Sequence, residues 1–284
     1  MSKVVVYGGF DGLQAPEIRL LEEAAKHGDV TVLLWPDKEV ARLSGRDVQF
    51  PMTERVYWLE AIRYVTSVVP LAGQVNPEEL PMDTVQAGDT WVLRANEFTP
   101  PKDSFAHAAG LKLEIVPEHD LLKLPDQYDP LASGVAAEDR IIRSPKSGAH
   151  SVVVTGCYDW FHTGHIRFFE EVSELGDLYV VLGHDANVRE LKGEGHPMFP
   201  DFQRWYMVQS IRYVTRAMIS SGDGWLDAEP EIRIIQPDIY AVNEDGDKPV
   251  KRAFCEANGI EYVVLKRTPK EGLKPRSSTD LRGF

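Results

Sequence analysis

Ala61-Ile62-Arg63-Tyr64-Val65-Thr66 returns as Ser210-Ile211-Arg212-Tyr213-Val214-Thr215, 149 positions later in a chain of 284 residues. Arg55 and Arg204 are separated by the same 149, and so are Gly110 to Val116 and Gly259 to Leu265. Gly8-Gly9-Phe10-Asp11 matches Gly156-Cys157-Tyr158-Asp159 at an offset of 148. One hexapeptide could coincide by chance, but four collinear matches predict a duplicated domain. The fold is therefore expected twice, each copy having the size of an ordinary domain with its own core.

Each copy shows the same alternation. A short apolar strand (Val4 to Tyr7; Val152 to Val154) enters a glycine turn and then a helix. A second strand follows (Val30 to Leu34; Leu178 to Leu182), then a helix expected to carry the Arg-Tyr-Val segment. Later come a strand (Trp91 to Leu93; Ile239 to Val242), a helix (Ser104 to Ala109; Val250 to Asn258) and a last strand (Leu113 to Val116; Tyr262 to Leu265). Strands alternating with helices predict α/β architecture: two tandem Rossmann-like, doubly wound parallel sheets related by duplication. Ligands of such sheets sit at the carboxyl ends of the strands. Residues 118–149, broken by Pro, Gly, Asp and Ser, read as a linker between a first domain at 1–117 and a second at 150–284.

The second copy carries the chemistry. Thr155 to His165 joins an apolar strand to Ile166 to Leu175, whose apolar residues recur at helical spacing. A helix entrance offers free N–H groups and partial positive charge, which suit a phosphate. Gly164 lets the backbone come close there, and His162 and His165 add two donors. Arg276-Ser277-Ser278-Thr279-Asp280 could open a second helix rich in donors. No Walker lysine loop is present, so the pattern describes a polyphosphate site of another design.

Gly156-Cys157-Tyr158-Asp159, His162-Thr163-Gly164-His165 and the late Ser277-Ser278-Thr279 resemble the nucleotidyltransferase superfamily with its His-x-Gly-His motif. Leu191 to Pro197, Gln203-Arg204, Ile211 to Val214 and Lys266-Arg267-Thr268 extend the likeness over about Ser151 to Arg282. The resemblance is cytidylyltransferase-like, similar to tandem enzymes that make CDP-alcohols from ethanolamine phosphate or glycerol 3-phosphate. It implies that His162, His165 and Lys192 are catalytic, His165 steadying charge at the α-phosphate and Lys192 bridging donor and acceptor phosphates. It implies nucleotide contacts from Gly156, Cys157, Tyr158, Asp159, Gly164, Arg267, Ser277, Ser278 and Thr279. Asp159 is expected to fix the turn by hydrogen bonding, and Trp160 and Phe161 to pack. Arg204 and Arg212 are left open between a part in the site and a structural or interface role; Arg212 recurs as Arg63 in the copy expected not to catalyse. Mg²⁺ is expected to arrive with the nucleotide, with no protein metal site. The family usually has Gly-Asp-Asp where this chain has Asn243-Glu244-Asp245, and Pro269 to Lys274 lengthens the segment before the serines.

The implied reaction joins CTP and a phosphorylated alcohol or polyol into a CDP-alcohol, with release of pyrophosphate. A phosphomonoester is already a competent nucleophile at neutral pH, its second pKa being about 6. The site then needs to gather anions and stabilise charge, which calls for His, Lys, Arg, hydroxyls and helix entrances. The alternatives are an adenylyltransferase using ATP and a sugar phosphate, and a catalytically silent nucleotide-binding regulator. Aligned at 148, Gln14, Glu17 and Ser44 replace His162, His165 and Lys192, so the first copy is expected to bind no triphosphate. The resemblance also implies that the two copies form an intramolecular pseudo-dimer, with a homodimer a further option.

A net charge of −13 argues against nucleic acid or an anionic membrane as a broad partner. Positive charge is local: Lys266, Arg267, Lys270, Lys274, Arg276 and Arg282 crowd the last residues. Two cysteines, Cys157 and Cys255, make no disulfide framework, which fits a reducing compartment. The first residues pass directly into a strand pattern, and no apolar run approaches the roughly 18 residues of a membrane span. A cytoplasmic protein is expected.

Overall fold

The computed structural model describes residues 2–126, 149–278 and 281. The chain separates into two compact units, Met1–Leu124 and Pro125–Phe284. The first runs β1 (Val4–Gly8), α1 (Ala15–Ala25), β2 (Val30–Leu34), α2 (Asp37–Ser44), α3 (Met52–Ala61), β3 (Ser67–Pro70), β4 (Thr90–Arg94), α4 (Pro100–Ala109), β5 (Lys112–Val116) and α5 (Glu118–Leu122). The second runs β6 (Ser151–Gly156), α6 (Thr163–Ser173), β7 (Asp177–Leu182), α7 (Asp185–Lys192), α8 (Asp201–Gln209), β8 (Val214–Ile219), α9 (Glu229–Ile235), β9 (Ile239–Asn243), α10 (Pro249–Asn258) and β10 (Glu261–Leu265).

Each unit holds a five-stranded parallel sheet, ordered β3-β2-β1-β4-β5 in the first and β8-β7-β6-β9-β10 in the second. The two sheets thus share one topology. Val4, Val5 and Val6 on β1, and Val152, Val153 and Val154 on β6, are all buried, as central strands covered by helices on both faces require. On one face of the second sheet, Val153, Tyr179, Val181, Tyr240 and Val242 pack against Ile232 and Ile235 of α9 and Cys255 of α10. In the second unit the chain first leaves β6 toward β7 and β8, then returns to its other side through β9 and β10. The strand order reverses there, and the carboxyl ends of β6 and β9 open a crevice. No described helix is long and apolar enough to cross a membrane.

Three expectations are corrected. The Arg-Tyr-Val segments are not helical: α3 stops at Ala61, Ile62 is already extended, and Arg63 and Tyr64 form a turn closed by Val65 N–H to Ile62 O at 3.1 Å. In the second unit Arg212 and Tyr213 form the same turn, and Val214 opens β8. The β-branched residues that follow prefer a pleated strand, so these segments feed β3 and β8, two strands the sequence reading passed over. The linker expected at 118–149 opens with α5, which packs on α1 with Leu121 fully buried. Residues 127–148 of that stretch lie outside the described residues. Helix α4 starts at Pro100 rather than Ser104, because proline is suited to a first turn and Thr99 caps it by accepting from Lys102 N–H.

Candidate functional site

The strand-to-helix turn is built around two aromatic side chains and one cap. Tyr158 takes a left-handed backbone, φ 54°, which folds its ring under Gly156. A Cβ on Gly156 would stand 2.7 Å from that ring, so a side chain is excluded there. His162 is the N-cap of α6, its Nδ1 accepting from Gly164 N–H at 3.0 Å. A Cβ on Gly164 would meet the His162 ring at 2.9 Å, so this glycine makes room for the cap. His162 is buried, 1% exposed, and does not line the crevice; its ring stacks on His165 with centroids 3.9 Å apart.

His165 does face the crevice. Its ring also lies against Phe161 and edge-on to Tyr158, both at 5.3 Å. Burial, then the neighbouring His162, Arg267 and Lys192, holds its pKa well below the ordinary 6.5, so it is neutral at neutral pH. Its Nδ1 is buried with no hydrogen-bond partner among the described residues. Cys157 is half-buried, and burial pushes its thiol pKa up, which keeps it protonated and a poor nucleophile.

Asp159 acts as a staple. One carboxylate oxygen accepts from Met198 N–H at 2.8 Å and Phe199 N–H at 3.0 Å, and the other lies 3.3 Å from His196 Nδ1. Arg204, 2% exposed, donates to the carbonyls of Phe199 and Cys157 and pairs with Asp185 at 2.7 Å. Both residues brace the turn against the loop before α8. Asp11 and Arg55 do the same work in the first unit. Arg212 is exposed on its turn.

The crevice is a cleft of about 320 Å³, open to solvent. It brings together Gly156, Cys157, Tyr158, Asp159, Gly164 and His165 from the turn, Lys192 from the end of α7, and Arg267, Ser277 and Ser278 from the C-terminal segment. Arg267 pairs with Asp245 at 3.0 Å and donates to Arg276 O at 2.7 Å. The Ser278 hydroxyl reaches Trp160 O at 3.4 Å. Trp160, expected only to pack, lines the cleft beside Asp159 and meets Phe199 edge-on at 5.8 Å. Thr279, and any helix opening after the serines, lie outside the described residues, as does Arg282. A second hollow of about 80 Å³ adjoins the cleft through Gly164, Phe168, Asn243 and Arg267, and Pro269, Lys270, Leu273, Lys274 and Pro275 of the longer segment form its other wall.

Among the lining residues that the sequence did not single out for the site are Thr155, His196, Asn243 and Lys251. His196 sits inside the Lys-Gly-Glu-Gly-His-Pro loop, where the motif offered a signal. Asn243 was visible only as a departure from Gly-Asp-Asp; its Oδ1 is buried without a hydrogen-bond partner among the described residues. Lys251 falls within an ordinary helix pattern that offers none. Among the described residues no group of three or more His, Cys, Asp or Glu stands together as a metal site.

A family model described as cytidylyltransferase-like matches residues 153–283, within the second unit. The FAD synthase of Methanocella paludicola is 31% identical over 134 residues, which cover 46% of this chain and 92% of that protein. The FAD synthase of Methanolacinia petrolearia is 37% identical over 118 residues, covering 40% and 76%. The bifunctional protein HldE of Nitratiruptor sp. is 35% identical over 127 residues, 43% of this chain. The chain spans only 27% of that HldE.

Proposed function

Because the chain belongs to the cytidylyltransferase-like family, we propose that its second unit transfers a nucleotidyl group from a nucleoside triphosphate to a phosphorylated small molecule. One observation carries the reading. Three separate segments, the α6 entrance with His165, the end of α7 with Lys192, and Arg267 with Ser277 and Ser278, converge on one cleft at the strand-order reversal. In this reading a phosphate oxygen of the acceptor attacks the α-phosphorus in line. A new P–O bond forms, the bond from the α-phosphorus to the bridging oxygen breaks, and pyrophosphate leaves with that oxygen.

The partial positive charge at the start of α6 and the two serines hold the triphosphate. His165, neutral and preorganised by its stacking, donates to the α-phosphate. Lys192, on an exposed helix end beside Gly193, reaches across both phosphates as a mobile cation. Arg267 offsets charge on the outer phosphates. His162 is assigned a positioning role, since its cap and its stacking fix the α6 entrance and the His165 ring. Mg²⁺ would come bound to the triphosphate oxygens, which suit it as hard ligands, and would supply further charge neutralisation.

The donor is a finer matter. Relatives named FAD synthase make an adenylate-containing product, which favours ATP. The Arg267-Thr268 pair and the family resemblance support CTP and a CDP-alcohol product. Pyrophosphate release with CTP, ATP, GTP and UTP against a panel of phosphorylated alcohols, sugars and FMN tests both levels. We expect ATP or CTP to dominate kcat/KM. Release with no donor and acceptor pair, despite nucleotide binding, would favour the silent regulator.

A further inference from the structure

Lys251 lies in the first turn of α10 and is 8% exposed, yet it lines the cleft. Among the described residues its partners are the Thr155 hydroxyl at 3.1 Å and the face of the Tyr240 ring at 5.6 Å. The Thr155 hydroxyl is shared, lying 2.7 Å from Tyr240 OH. No described carboxylate forms an ion pair with the ammonium; Asp227 acts on it only from a distance, and its nearer bond is to Ser220. Burying an ammonium costs several kcal/mol unless an opposite charge offsets it. Consistent with that deficit, burial depresses the Lys251 pKa below its ordinary 10.5 in spite of Asp227.

The first unit shows the contrast. Lys102, at the corresponding position and equally buried, donates to Glu97 O at 2.6 Å, a local backbone bond. Tyr7 stands where the second unit has Thr155, and its ring packs edge-on against Trp35 and Trp91. In the second unit the smaller threonine leaves that space as part of the cleft. Its lysine is aimed into the space.

The side of the cleft identifies the ligand. In-line transfer puts the acceptor opposite the leaving pyrophosphate. The groups suited to the triphosphate gather at the α6 entrance, and α6 contributes nothing to the α9–α10 layer. Thr155, two residues beyond Val153, points to that α9–α10 face by strand alternation. Lys251 therefore stands on the acceptor's side. Resting on the transferase reading above, we propose that Lys251 selects acceptors carrying a second anionic group, a carboxylate or a further phosphate, besides the phosphate that attacks.

The test uses the full chain with acceptors matched in shape: glycerol 3-phosphate against 3-phosphoglycerate, and glucitol 6-phosphate against 6-phosphogluconate. Wild type should favour the carboxylate member at least tenfold in kcat/KM, expressed chiefly in KM. Lys251→Met should abolish that preference, while Lys251→Arg should keep part of it and show that the fold survives replacement. Preference in wild type for the members that lack the carboxylate, or a preference that persists in Lys251→Met, overturns the proposal. If no pair turns over, the transferase reading is what fails, and calorimetric binding of the same pairs decides the Lys251 proposal separately. Tighter binding of the carboxylate members that Lys251→Met removes supports it; equal or absent binding overturns it.

Discussion

His165 combines stacking with a buried nitrogen that has no hydrogen-bond partner among the described residues, an arrangement that stability alone does not favour. A buried polar atom without a partner costs about 1–3 kcal/mol. His165→Ala should lower turnover roughly 10²–10³-fold, as loss of one preorganised donor does, with the fold intact. Unchanged turnover would remove His165 from the mechanism. Its titration gives a second readout, with the sign fixed by linkage. The folded-state pKa is depressed, so below the ordinary value of 6.5 the unfolded chain binds a proton that the folded chain refuses. The contribution to stability is fully present above pH 6.5 and falls away as the pH drops below it toward the folded value. Denaturant melts at pH 7.5 and pH 5.5 should therefore diverge more in wild type than in His165→Ala. The motif made His165 legible in the sequence. The N-cap role of His162 was not, because a cap depends on which ring nitrogen meets which N–H.

At the scale of elements, strand positions and the order of chemical segments could be read from β-branched runs and glycine turns. The Arg-Tyr-Val repeat misled, since a recurring hexapeptide shows likeness between two places but not their conformation. Arg63 and Arg212, close in sequence to a helix, lie in turns beyond its end. The Asp159 staple was readable only as a tendency to hydrogen-bond. Its partners, Met198 N–H and Phe199 N–H, lie about forty positions away and come near only through the packing of α8. Asp159→Ala leaves both N–H groups without that acceptor, and we expect a loss of about 1–3 kcal/mol. It should also loosen the loop that follows Lys192, which raises KM. Asp159→Asn keeps one acceptor oxygen and should recover part of both losses. Thermal melts and KM values for the two variants check this; wild-type values in Asp159→Ala would rule the staple out.

For the whole molecule, two units of one topology raise the question of how many sites a chain carries. The α1 entrance answers it from within. Where α6 is capped by the His162 ring and presents Gly164 and His165 to the cleft, α1 is closed by its own Glu17, whose carboxylate accepts from Gln14 N–H at 3.0 Å and pairs with Arg94 at 2.5 Å. An incoming phosphate would have to displace that carboxylate and lie beside it, and like charges so close repel strongly where screening is poor. Shared topology therefore does not bring shared binding, and we expect one nucleotide per chain. Calorimetry on the full chain should give a stoichiometry near one with the preferred triphosphate, and residues 150–284 expressed alone should hold that site if they fold. The oligomeric state of the fragment reports at the same time on the pairing that the repeat implies: self-association or lost activity fits it, and a monomer of full activity does not. A stoichiometry near two, kept when His165 is replaced, would mean that Glu17 yields its place to phosphate and that the first unit binds nucleotide in its own right.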